Sequence, residues 1–317
     1  MTLSANDLLA VLGAIALAGI GGELFLKGVL GTAAWLRVPK LLVATSLAAF
    51  ATSSPELTVS TVAALSGQPE IGLGDALGSN VVNIALLFGL ALFFGPIRVA
   101  PRDLGRDFVL ALAIPLLTFL FALDGTITRQ EGVILLLVFA TWLWLLMRAG
   151  VASRGSGEFV DVTDDELRPW LAVVSGLAGL TLLIFAGRLF VSSATGIATA
   201  FGVDAYIVGA TVVAIGTSLP ELVTVLLARY RGHDDIGVGT LLGSNLYNGM
   251  AIVGVAASIH PIQAAPAEVA IALGIGTLSL LLLIPGRDGI ISRARGYLLL
   301  ASYAVFVVAT ITTGRAL

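Results

Sequence analysis

The sequence predicts an all-α, polytopic membrane protein in which ten transmembrane helices form two inverted five-helix repeats. Three observations carry that reading. The 317 residues are 57% hydrophobic and only 12% charged, where a soluble domain carries roughly 25% charge, and the mean hydropathy is +1.01. The apolar residues gather into runs of the ~20 residues that a ~30 Å hydrocarbon core demands. Finally, the second half of the chain repeats the first at a fixed offset of 165 residues.

Taken in order, the runs fall at about 7–30, 40–66, 71–94, 107–123, 130–148, 169–195, 204–229, 236–259, 265–285 and 296–314. The stretch Met1 to Asp7 has no basic region, so the first run is expected to be a retained helix and not a cleaved leader. Gly95-Pro96, Asp124-Gly125 and Pro285-Gly286 punctuate short connections. The longer acidic stretch 150–168, with Glu158, Asp161, Asp164, Asp165 and Glu166, is expected to be a solvated cytoplasmic linker. It divides a first repeat, 1–149, from a second, 169–317. Numbering the loops alternately puts 13 Lys or Arg on one side and only Arg129 and Arg315 on the other. By the positive-inside rule the basic side is cytoplasmic, so both termini are expected outside a plasma (inner) membrane.

The repeat aligns without a gap from about residue 42 to 96. Thr52-Ser53-Ser54-Pro55-Glu56 maps onto Thr217-Ser218-Leu219-Pro220-Glu221, and Gly78-Ser79-Asn80 with Asn83 onto Gly243-Ser244-Asn245 with Asn248. Ala49 maps onto Ala214. An odd number of helices per repeat makes the halves antiparallel, and paired broken helices place a substrate site near the midplane.

The chemistry follows from residue type. A proline inside a helix frees backbone carbonyls, which are tolerated at membrane depth only where they line a protein cavity. Those carbonyls, the Ser53 and Ser218 hydroxyls and the Glu56 and Glu221 carboxylates form an all-oxygen set suited to hard cations. Ser79 and Asn83, like Ser244 and Asn248, are spaced i, i+4 and share a helix face. The alternative readings are bland ones. A membrane hydroxyl usually bonds its own turn, a proline often only kinks, and a lone glutamate can serve assembly. Two glutamates placed identically after two prolines favour a site.

Other charges read as structural. Glu23 and Lys27 are expected to pair at i, i+4. Arg188 is expected to reach for the outer interface. Asp75 is expected to open the third helix, where it suits the dipole, and its counterpart is the neutral Thr240. With no cysteine there is no disulfide or thiolate chemistry. His233 and His260 are too far apart in sequence to suggest a histidine metal site.

The two motifs, each present twice, resemble the α-repeats of the calcium/cation antiporter superfamily, specifically its sodium/calcium exchanger branch. The resemblance spans nearly the whole chain. It implies Glu56 and Glu221 as central Ca²⁺ ligands with the Thr52 and Thr217 carbonyls. It implies Na⁺ sites from Ser53, Ser218, Ser79 and Ser244 and the carbonyls of Ala49 and Ala214, with Asn83 and Asn248 at the centre. It also implies that helices one and six slide over the other eight, that Ca²⁺ and Na⁺ are substrates, and that no cofactor is needed. Some members carry aspartate where this chain has Asn248, so two formal charges remain here. Ala51 faces Gly216 across the repeat, and Ser54 faces Leu219, with no effect assigned.

The expected activity is therefore antiport, Na⁺ inward against Ca²⁺ outward, with a Ca²⁺/H⁺ antiporter using the same glutamates as the alternative. A passive channel is disfavoured by the paired broken helices, and an enzyme by the lack of a Lys or His base beside the serines. Membrane lipid and the two ions are the expected partners, not nucleic acid; a monomer is the expected form, and the sequence does not fix the oligomeric state.

Overall fold

In the computed structural model, residues 5–99, 101–152, 169–200, 214–286 and 288–314 are described. Helix α1 (Ala5–Leu36) is followed by α2 (Lys40–Val43), a π turn (Ala44–Ala48), α3 (Ala49–Thr52) and α4 (Ser54–Leu65). Next come α5 (Pro69–Val81), a π turn (Val82–Leu87) and α6 (Phe88–Phe93), then α7 (Pro101–Phe121), α8 (Arg129–Ala152) and α9 (Pro169–Ala200). The second half continues with α10 (Ala214–Thr217), α11 (Leu219–Tyr230), α12 (Asp234–Leu246), a π turn (Tyr247–Ile252) and α13 (Val253–Ile259). Helices α14 (Pro266–Leu282) and α15 (Arg293–Gly314) complete it.

Each expected run corresponds to helix, the seventh only from Ala214 onward because 204–213 lie outside the described residues. Four of the described helical spans are long and apolar enough to cross a membrane: Leu9–Leu36, Pro69–Phe93 (through its π turn), Arg129–Ala152 and Pro169–Phe190. The other runs are broken, shorter or less apolar, so helix length and hydropathy alone do not reach the count of ten. Helix α8 runs three residues into the expected linker, to Ala152, and the rest of the acidic stretch, 153–168, lies outside the described residues. Leu12, Ile15, Leu116, Leu120, Val305 and Val308 are exposed, as suits side chains whose solvent is lipid.

The span Pro69–Phe93 is 72% buried within the protein against 22–33% for the other three, so it lies at the centre. Its counterpart α12 is buried at every position from Ile236 to Leu246. The two π turns after α5 and α12 lie 165 residues apart, and such turns gather at functional sites. Tyr247, opening the second, is packed by Phe139, Trp142 and Phe50 at ring separations of 4.9, 5.7 and 5.6 Å.

Two further contacts express the repeat. Strand β1 (Ile97–Arg98) pairs antiparallel with β4 (Ile290–Ile291), and β2 (Thr126–Ile127) with β3 (Ile262–Gln263). Each strand thus finds its partner in the other half. Helices α1 and α9 cross through glycines. A Cβ on Gly28 would lie 2.4 Å from the Gly176 Cα, and one on Gly179 would lie 2.3 Å from the Phe25 nitrogen. Small residues let the two backbones touch.

Two of the expected structural charges sit elsewhere. Glu23 takes its ion pair from Arg231, across the fold, with the Arg231 Nε 3.0 Å from Oε1. A partner 208 residues away is invisible to local spacing rules. Asp75 does not open its helix, which begins six residues earlier at Pro69. The Pro69 ring takes the first-turn position that lacks a donor requirement, and Asp75 falls in the interior of α5.

Candidate ion-binding site

The two Thr-Ser-X-Pro-Glu breaks have one geometry. Ser53 has φ −84°, ψ 7°, and Ser218 has φ −85°, ψ 15°. One carbonyl downstream, Leu57 N donates to Ser53 O at 3.1 Å and Leu222 N to Ser218 O at 3.0 Å. The break is therefore a single-residue kink with the helix resuming at once. The proline sits in the first turn of the resumed helix, so the following glutamate also lies within that turn, on the buried face.

What happens to the carbonyls differs from the simple expectation. Ala51 O, whose regular partner would be the missing N–H of Pro55, accepts instead from Ser54 Oγ at 2.7 Å. Ala49 O is engaged as well, by Ser53 N at 2.9 Å and Thr52 Oγ1 at 3.3 Å. In the second repeat Leu219 has no hydroxyl to offer, and Gly216 O instead faces Gly187 of α9, where an added Cβ would lie 2.6 Å away. This supplies the physical meaning of the Ala51/Gly216 and Ser54/Leu219 asymmetries. One carbonyl is capped locally, and the other is turned toward the neighbouring helix. Ala214 belongs to the short helix α10.

The side chains of the two repeats meet in a buried chamber. Ser53 Oγ donates to Glu221 Oε1 at 3.5 Å, and Ser244 Oγ donates to the same oxygen at 3.4 Å. Thr52 Oγ1 lies 3.4 Å from Ser244 Oγ, and Asn83 Nδ2 donates to Asn245 Oδ1 at 3.2 Å. Thr52, Ser53, Glu56, Ser79, Asn83, Ser218, Glu221, Ser244 and Asn248 are all 3% exposed or less, while Thr217 is half-buried and lines a cavity. Oxygens of Glu56 (Oε2), Glu221 (Oε2), Asn83 (Oδ1), Asn248 (Oδ1) and Ser218 (Oγ) find no hydrogen-bond partner among the described residues. Unpaired buried oxygens are expensive, and oxygens left unpaired in both repeats are of the kind that a hard cation would satisfy. No group of three or more His, Cys, Asp or Glu side chains comes together as a metal cluster among the described residues. The chamber holds two carboxylates backed by hydroxyls and amides.

Two asparagines outside the expected ligand set brace the chamber. Asn80 Nδ2 donates to Asn245 O at 3.3 Å, and Asn245 Nδ2 donates to Asn80 O at 3.3 Å. The bonds are reciprocal between positions 165 apart, so α5 and α12 cross at a local two-fold. Both asparagines were visible in the repeated Gly-Ser-Asn motif. A repeated residue meets its own counterpart only where it lies near the two-fold axis, and the sequence does not mark which repeated residues do.

A cavity of about 390 Å³ adjoins the breaks, lined by Ser54, Pro55, Thr58, Gly187, Thr217 and Pro220 among others. Arg188 also lines it, and that side chain is exposed.

A sodium/calcium exchanger protein family model matches residues 7–148 and, a second time, 171–312. The chain belongs to this family. A putative antiporter, CaxA of Alkalimonas amylolytica, is 35% identical over 288 residues, covering 88% of this chain and 90% of that protein. The inner membrane protein YrbG of Escherichia coli is 34% identical over 71% of each chain. Among solved structures, the sodium-calcium exchanger NCX_Mj superposes with a TM-score of 0.81 at 26% identity, covering 95% of this chain and 98% of that one. This member of the exchanger family is thus a helical, membrane-embedded transporter and not an enzyme.

Proposed function

We propose that this exchanger-family member is a secondary active antiporter that moves Na⁺ inward and Ca²⁺ outward through the Glu56–Glu221 chamber. The observation that carries the reading is the convergence of two buried carboxylates from opposite repeats, each with one oxygen left unpaired. The resemblance to NCX_Mj, whose crystals were soaked with Na⁺ and Sr²⁺, supports the ion classes. Both Na⁺ and Ca²⁺ are hard cations that seek oxygen. Competition for the same carboxylates makes their occupancies exclusive, and exclusivity couples the two fluxes.

The proposed ligand set is Glu56 and Glu221 with the carbonyls of Thr52, Thr217, Ala49 and Ala214, the hydroxyls of Ser53, Ser218, Ser79 and Ser244, and Asn83 and Asn248. Ten crossings in two inverted repeats, 1–149 and 169–317 around a linker at 150–168, would leave both termini outside. The glycine-seamed α1–α9 pair is the element suited to slide, since two backbones in contact move as one body over the buried α5–α12 centre. That motion would open the chamber to each side in turn.

The test is ⁴⁵Ca²⁺ uptake into proteoliposomes loaded with Na⁺, beside K⁺-loaded and pH-stepped vesicles. Uptake that needs internal Na⁺ and disappears in both Glu56→Gln and Glu221→Gln, with folding retained, is the expected result. Uptake driven by the pH step without Na⁺ would replace the coupling ion with a proton. Uptake surviving in both variants would remove the chamber from the mechanism.

A further inference from the structure

Asp75 is an acidic residue between the motifs whose counterpart, Thr240, is neutral, and its surroundings give it a role. Helices α4 and α5 form a hairpin joined only by Ser66–Gln68, so they run antiparallel. Their register is set where Ser60 meets Gly72: Ser60 Oγ donates to Gly72 O at 3.3 Å, and a Cβ on Gly72 would lie 2.9 Å from the Ser60 Cα. One turn back along α4 is Glu56, and one turn forward along α5 is Ala76, so Asp75 stands level with Glu56. The second repeat keeps the same register. Gly237 meets Val225, whose Cα lies 3.6 Å from an added Cβ, and Glu221 therefore stands level with Leu241, beside Thr240.

The two equivalent positions share a further property. Asp75 Oδ2 is buried with no hydrogen-bond partner among the described residues, and so is Thr240 Oγ1, on a side chain 0% exposed. Glu56 is acted on by the charges of both Glu221 and Asp75. Asp75 does not join the other two carboxylates in one metal-binding cluster. It lies one turn before Ser79 on α5, about 6 Å along the helix, toward the Pro69 end.

We propose that Asp75 is the anionic ligand of a further cation position beside Glu56, and that a monovalent cation occupies it. The position lies at the Pro69 end of the chamber, the outer end in the proposed topology. Asp75 is half-buried with one unpaired oxygen, Oδ2, and Glu56, placed level with it and 2% exposed, has Oε2 unpaired as well, so the two can share one cation. Thr240 leaves the equivalent position beside Glu221 neutral, so the two halves of the chamber differ by one charge. An ion arriving from the Pro69 end meets two carboxylates first, and one arriving from the other end meets one. This inference rests on the exchange reading for its physiological meaning, although the binding itself does not.

The test uses Na⁺ as the probe on the full-length protein. Equilibrium ²²Na⁺ binding to purified wild type, Asp75→Asn and Asp75→Thr is measured in detergent, and the Na⁺ dependence of Ca²⁺ flux is measured in proteoliposomes. The expected result is one Na⁺ fewer bound per chain in both variants, or one Na⁺ bound about tenfold more weakly, the weight of a charge-assisted contact. Wild-type Na⁺ binding and wild-type flux dependence in a folded variant would overturn the proposal, and so would failure of both variants to fold, which would make Asp75 a structural residue. Wild type that binds Na⁺ but shows no Na⁺-driven Ca²⁺ flux would instead sink the exchange reading and leave the Asp75 position standing on the binding data.

Discussion

Gly243 lies where α12 presses on the first repeat, and adding one methyl there tests the packing that frames the chamber. In Gly243→Ala the Cβ would sit 2.3 Å from the Thr45 carbonyl oxygen and 2.6 Å from the Ala49 Cβ. Ordinary van der Waals contact begins near 3.4 Å, so the two segments must part by about 1 Å. The nearest obstacle is backbone, which gives way only by moving a helix. Overpacking of this kind costs about 1–3 kcal/mol, and a shortfall this large belongs near the top of that range. Alanine returns up to about 1 kcal/mol of helix propensity, which leaves a net loss of about 2 kcal/mol, or roughly 30-fold in the folded-to-unfolded ratio. Ser244, the next residue, donates to Glu221 at 3.4 Å, so a 1 Å shift also breaks the contact between α12 and the chamber carboxylate. The assay is thermal unfolding of the purified protein in detergent together with Ca²⁺ flux in proteoliposomes. Gly274→Ala is the comparison, because nothing lies within 4 Å of its added Cβ. The expected result is a clear drop in unfolding temperature and flux for Gly243→Ala and neither for Gly274→Ala. A Gly243→Ala protein as stable and active as wild type would refute the close approach of α12 to Thr45.

Two other outcomes follow from contacts far from this one. Asn245→Ala removes both its own amide donor to Asn80 O and the Oδ1 acceptor of Asn83, so it should cost more than Asn80→Ala, which removes one donor; each lost bond weighs about 1 kcal/mol, read by denaturation in detergent, and equal effects would deny Asn245 its double role. His233 has its pKa lowered by burial first and then by Lys40, whose Nζ lies 3.2 Å from the ring Nδ1. The folded chain therefore refuses a proton that the unfolded chain accepts below the usual imidazole value of about 6.5. Stability should be level above that pH and fall as pH drops toward the lowered folded value. Lys40→Met should shallow that fall, and an unchanged pH profile of the unfolding temperature would refute it.

Much of this architecture could be read from the chain before any coordinates. Pro55 and Pro220, each followed by glutamate, forecast a helix break with a carboxylate beside it, because a ring nitrogen has no proton to give. The offset of 165 residues forecast that the two breaks belong together. Less legible was everything that depends on which turn of one helix meets which turn of another. The Glu23–Arg231 pair, the Asn80–Asn245 reciprocity and the level placement of Asp75 with Glu56 are consequences of register, and register is fixed by contacts such as Ser60 on Gly72 that carry no local signature. The π turns carried no local signature either; the one opened by Tyr247 sits with that ring among three others drawn from distant segments.

The exchanged strand pairs bear on how the chain is made. Residues 97–98 pair with 290–291, and 126–127 with 262–263. At roughly 5–20 residues per second on a ribosome, about 10–40 seconds separate the birth of β1 from that of its partner. Until the second half is made, β1 and β2 have no strand to pair with, Asn80 has no Asn245 and Glu56 has no Glu221. The pairings between halves can close only after the second repeat is made, so a chain truncated between the repeats should show those strands and the Asn80 amide without their partners.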